Sequence, residues 1–130
     1  MEKTLDFSYS WNGSPFHFKI HNKYFTSIRL HNPEKYSLNN TYSIFYNKQF
    51  IKHAKPVIIR KSSLNGLSDL FFFLDTGYSK EASLKIFGRI YKMREPDFNT
   101  MLFDVILFET VYTVGNVKPY KTHIKPVAVV

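Results

Sequence analysis

Residues 79–93 read SKEASLKIFGRIYKM. Leu84, Phe87, Gly88 and Tyr91 recur at i, i+3, i+4 and i+7, with Ile86, Ile90 and Met93 beside them. That spacing predicts a helix over 79–93 with one apolar face. Ser79 stands at the capping position, and Glu81 lies in the first turn, where the helix dipole favours an acid. Glu95-Pro96-Asp97 ends the run. Just upstream, residues 68–74 predict a shorter helix, with Leu70, Phe71 and Leu74 sharing a face. Asp75-Thr76-Gly77-Tyr78 breaks it.

On either side of these helices the period is two. Leu5, Phe7, Tyr9 and Trp11 alternate with polar residues, Asn12-Gly13-Ser14-Pro15 reads as a turn, and Phe16, Phe18 and Ile20 alternate with His17, Lys19 and His21. This predicts a hairpin with one apolar and one polar face. Further strands are predicted over 24–30 and 41–46, followed by a tight turn at Asn47-Lys48. Phe50 to Lys61 reads as a strand bent near Pro56, which has no N–H for a ladder. Residues 101–113 form a long β-rich run, most of it expected to be buried on both faces. The tail from Tyr120 reads as a last strand or an arm. Strands, then two helices, then strands is an α+β order. Five to six short strands with large inward residues predict a small, partly closed β-barrel with two helices packed on one side.

The chain has 130 residues, which predicts one domain over 1–130. It has no cysteine, so disulfides and thiolate chemistry are excluded. No apolar run approaches the ~18 residues that span a bilayer, and the first residues lack the apolar core of a signal peptide. A cytoplasmic protein with no membrane partner is expected. The net charge is +8 and aromatics make up 18%. The charge gathers in residues 1–62 and in the last twenty, which predicts a basic face suited to polyanions. Abundant Lys, Asn, Tyr and Phe equally match an AT-rich coding genome such as a phage's.

Two segments carry a resemblance. Lys23-Tyr24-Phe25-Thr26-Ser27-Ile28-Arg29 is similar to the Lys-Thr-x-Thr-Ile-Arg strand of the ASCH domain, a family of the PUA-like superfamily. Leu74-Asp75-Thr76-Gly77-Tyr78-Ser79-Lys80-Glu81, leading into a helix that ends at Tyr91, is similar to that family's acid-plus-helix segment. Phe103 to Glu109 resembles its closing strand. The similarity covers about residues 16–112. It implies a PUA-like barrel that binds RNA or a modified nucleoside in a basic cleft between barrel and helices. Asn39-Asn40 stands where the family carries Gly-Asp. Some small ASCH proteins resemble amidohydrolases that remove the acetyl group of N4-acetylcytidine with a Lys, a Thr and a Glu. Carried over by position, the resemblance implicates Lys23, Thr26 or Ser27, and Asp75.

These residues have chemistry of their own. A buried lysine with a lowered pKa can act as a base toward a hydroxyl or water, and a carboxylate can orient it or shuttle the proton. Lys23 and Asp75 are candidates for that pair, and Thr26 or Ser27 for the hydroxyl. Asp75 next to Thr76-Gly77 also reads as plain helix-end punctuation. Arg29 lies in an otherwise apolar strand, so it needs solvent, a carboxylate such as Asp75, Asp69 or Glu81, or a ligand phosphate. Lys23, Ser27, Arg29 and Tyr78 are the expected binding residues. His17 and His21 sit ~13 Å apart on a strand, too far to share one ion, and no third ligand accompanies them. No metal and no cofactor are expected.

The first expectation is therefore an RNA- or modified-nucleoside-binding module. An alternative is a non-enzymatic interaction protein, phage-encoded and binding a host or virion protein, which predicts an exposed apolar patch. The amidohydrolase is a second alternative.

Overall fold

The computed structural model describes residues 2–7 and 19–112. Five strands form one mixed sheet: β1 (Glu2–Phe7), β2 (Tyr24–Leu30), β3 (Thr41–Tyr46), β4 (Gln49–Ser62) and β5 (Phe103–Val111). Their order across the sheet is β1-β3-β4-β5-β2. β1 runs parallel to β3, and the other neighbours are antiparallel. The sheet curls into a half-barrel with three helices alongside: α1 (Asp69–Thr76), α2 (Lys80–Tyr91) and α3 (Asp97–Thr100). The fold is α+β with a partly closed barrel, as the order of periodicities predicts.

Local chemistry accounts for the elements. Asn47 and Lys48 both take positive φ, 49° and 69°, and turn β3 tightly into β4. Such a turn matches the twist of an antiparallel pair. The β4–β5 register shifts between Pro56 and Ile58, where the proline leaves no N–H to donate. β5 is not buried on both faces as its apolar run predicts: Asp104, Ile106, Phe108 and Thr110 are buried on one face, while on the other only Phe103 is buried and Val105, Leu107, Glu109 and Val111 are half-buried.

Ser68 Oγ accepts from Phe71 N at the start of α1, and Gly77 ends that helix at φ 83°. Ser79 caps α2 in the same way. Gly88 lets α3 pack closely on α2, since a Cβ there would lie only 3.1 Å from the Phe98 ring.

The core has two parts. Inside the half-barrel, Phe25 stacks on Phe108 and Phe7 packs edge-on to Phe25. On the other face of β2 and β5, Ile28 and Phe103 meet Phe72 of α1 and Phe87 of α2. Each face of the β2–β5 pair is thus covered.

The predicted hairpin is corrected in part. β1 begins at Glu2, and its partner is β3. Lys19–His21 form a short helical turn, not strand, with Ile20 fully buried in the barrel core. The rest of that hairpin, and the tail beyond residue 112, lie outside the described residues. The helical layer has three helices instead of two, because Asp97–Thr100 adds a short turn that packs Phe98 onto α2.

Candidate functional site

Three side chains from separate elements meet at the C-terminal end of α1. Asp75 lies in the last turn of α1 and is buried. Its Oδ1 accepts the Thr26 hydroxyl of β2 at 2.7 Å and the Lys19 ammonium at 2.8 Å. Lys19 Nζ also donates to the Asp75 carbonyl at 2.6 Å. The Lys19 and Asp75 side chains are only 10% and 5% exposed, so water screens the pair weakly.

The surrounding fold holds each member in place. Gly77 stops α1 just after Asp75, and the neighbouring Thr76 hydroxyl bonds Ser83 of α2 at 2.7 Å, tying the two helices together. Thr26 lies on the helix side of β2, two residues from buried Ile28. Lys19 is carried by the turn that precedes β2. Buried Ile20 anchors that turn, and Asn22 N closes it by donating to Lys19 O. The Asn22 carbonyl in turn accepts from Lys52 Nζ at 2.9 Å and from the Thr110 hydroxyl at 3.2 Å.

Burial pushes the Lys19 ammonium below the ordinary lysine range. The Asp75 charge and hydrogen bond oppose that shift, and the Arg29 charge adds to it. Lys52 is 1% exposed, with Nζ 4.8 Å from the centre of the Phe25 ring. Burial lowers its pKa to about 8.

Between pH 8 and 10.5 the unfolded chain therefore holds a proton at Lys52 that the folded chain has lost. Stability should rise with pH across that window. Wild type is expected to gain melting temperature over this range relative to Lys52→Met. Parallel curves for the two proteins would refute this.

The structure brings Thr26 and Asp75 together. It does not pair Lys23 with Asp75. Lys23 is exposed, with its ammonium 5.5 Å from the Tyr24 ring centre, and Lys19 takes the place beside Asp75. The reason is the helical turn at 19–21, which directs Lys19 toward α1. Ser27 is buried and accepts from Arg29 Nε at 2.7 Å.

Arg29 pairs with none of Asp75, Asp69 or Glu81. Its Nη2 donates to the Asp6 carbonyl at 2.9 Å, and its guanidinium lies 4.8 Å from the Phe7 ring centre. This contact links the two margins of the sheet, β2 and β1. Tyr78 is half-buried in the α1–α2 turn, its N–H donating to Thr76 Oγ1. Lys19 is the site residue that sequence reading missed. It sits in an alternating stretch, Phe16 to His21, where a lysine reads as the solvent face.

His21 is exposed, and His17 lies outside the described residues. Among the described residues no three His, Cys, Asp or Glu side chains gather as a metal site. No helix among them is long and apolar enough to cross a membrane. An open groove of about 670 Å³ lies along the helices, lined by Asp69, Glu81 and Glu95 with Lys80 and Lys85. Its charges are of mixed sign, and none of Lys19, Thr26 or Asp75 lines it.

Comparison with known protein families finds no match, and comparison with curated proteins finds none either. Among solved structures, the chain is similar to the crystal structure of a hypothetical protein, PH0355, at 14% identity. The match covers 85% of this chain and 100% of that one, with a TM-score of 0.58. At that identity the likeness concerns the fold alone: the curled sheet with helices alongside is an architecture that another protein also adopts.

Proposed function

We propose that the chain binds a modified nucleoside, free or within RNA, and that Lys19, Asp75 and Thr26 hydrolyse an acyl amide on its base. One observation carries this reading. A single carboxylate oxygen receives both a hydroxyl and a buried ammonium.

The direction of these bonds suggests the roles. Thr26 Oγ1 forms a bond to the amide carbonyl carbon while Asp75 Oδ1 takes its proton. Lys19 Nζ gives a proton to the departing base nitrogen as the C–N bond breaks, and regains one from Asp75. Water then cleaves the acyl–threonine ester, which releases the carboxylic acid and restores the hydroxyl. An ammonium whose pKa is lowered by burial is the better proton donor for this step. Lysine is thus the acid and aspartate the base, the reverse of the roles the sequence suggests.

The ASCH resemblance makes N4-acetylcytidine the test substrate. Wild type is expected to release cytidine and acetate, seen by chromatography. Lys23→Ala should leave the rate unchanged, and Lys19→Met should abolish it. No turnover by folded wild type, or full activity in Lys19→Met, would overturn the reading.

The exposed face of α1 supports a second reading, a protein-binding module. Leu70, Phe73 and Leu74 are 67%, 50% and 58% exposed. That reading expects neither turnover nor salt-sensitive RNA binding.

A further inference from the structure

β4 outruns the strand beside it. Its ladder to β3 ends where Tyr42 faces Ala54. Beyond that point β4 pairs with β5 on one side only, from Ile58 opposite Leu107 to Ser62 opposite Phe103. Alternate residues of such an edge aim both N–H and C=O away from the paired neighbour. Among the described residues no backbone group meets the outer side of residues 57–61.

The side chains along this edge are apolar and basic. Val57 and Ile58 are 37% and 41% exposed. Arg60 and Lys61 are exposed, and neither forms an ion pair among the described residues. Asp104 is the cross-strand neighbour of Lys61, but its oxygens are engaged by His31 Nδ1 at 2.8 Å and by Asn32 N at 2.9 Å. β4 carries no acid along its whole length.

An open edge accepts extended chains, and proteins restrict this with bulges and charges. Here the bulge at Pro56 bounds the open stretch, and Arg60 with Lys61 sets the sign of what joins it. Two copies of this chain would bring like charges together, each with a net +8. A phosphodiester strand accepts from the outward N–H groups but has no N–H to give the outward carbonyls. An acidic peptide meets both needs: its amides complete the ladder and its carboxylates face the two cations.

We infer that residues 57–61 of β4 are a docking edge for an acidic, extended protein segment, which joins the sheet as an added strand. This edge plays no part in the deacylase reading. Binding would be measured by fluorescence anisotropy with labelled peptides of about seven residues, long enough to form a strand. One alternates Val and Glu, a second alternates Val and Lys, and a third repeats the first with every amide N-methylated.

Wild type is expected to bind the Val-Glu peptide about tenfold or more tighter than the Val-Lys peptide. N-methylation should abolish binding, because it removes the donors of the ladder. Arg60→Glu, an exposed change opposite Val105, should weaken the Val-Glu peptide and strengthen the Val-Lys peptide, a gain that an unfolded variant could not show. Amide exchange should slow at alternate residues within 57–61 when the Val-Glu peptide is bound. Failure of folded wild type to bind that peptide overturns the inference. So does equal binding of the N-methylated peptide, or binding that leaves exchange at 57–61 unchanged. An oligouridylate that binds as tightly and gives the same protection, or a dimer formed through this edge in sedimentation, overturns it in favour of nucleic acid or of a second copy.

Discussion

Thr26→Val is expected to lower kcat/KM on N4-acetylcytidine by about a hundredfold or more. Valine keeps the branched shape that β2 favours and removes only the hydroxyl, so folding is little affected. Thr26→Ser restores the oxygen and should recover most of the rate. The alkaline limb of the pH profile gives an independent reading. With Lys19 as the proton donor, activity falls as pH rises through its lowered pKa. That limb should therefore lie below the ordinary lysine range, and Lys19→Arg should move it upward. Activity in Thr26→Val matching wild type would remove the threonine from the chemistry.

Asp75→Ala is expected to destabilise the protein by about 3–5 kcal/mol, because it leaves the buried Lys19 ammonium without its partner. The double variant Lys19→Met with Asp75→Leu should be far less harmful than the single one. It removes both charges together and keeps the volume apolar. Chemical denaturation of the three proteins measures the coupling. Additive losses would mean that the pair is not coupled, and the site would lose its electrostatic basis. The comparison also bears on function. A double variant that folds stably yet turns over no substrate separates the chemistry of the pair from its structural weight.

Much of the fold was legible in the residues. Leu84, Phe87 and Tyr91 mark α2 by their spacing, and Ser79 marks its start. Asn47 marks a turn because asparagine tolerates positive φ, and Pro56 marks an irregular strand. The site was legible in part. Thr26 and Asp75 stood out as polar groups beside apolar runs. Their lysine partner did not, because Phe16, Phe18 and Ile20 alternate with it as a strand would. Nothing in that alternation signals that residues 19–21 leave strand geometry.

Periodicity, caps and turn residues act over a few neighbouring positions, so they were sufficient for the element types, their order and the α+β class. The strand order, the parallel pairing of β1 with β3, and the choice of Lys19 over Lys23 depend on contacts between residues far apart in the chain. Lys19 and Asp75 are separated by 56 positions and touch at 2.8 Å. That contact exists because Phe72 of α1 is buried in one cluster with Ile28 of β2 and Ile20 seals the barrel. Hydrophobic burial brings the elements together without direction of its own. Which ammonium then finds the carboxylate is decided by where the packed backbone leaves each side chain.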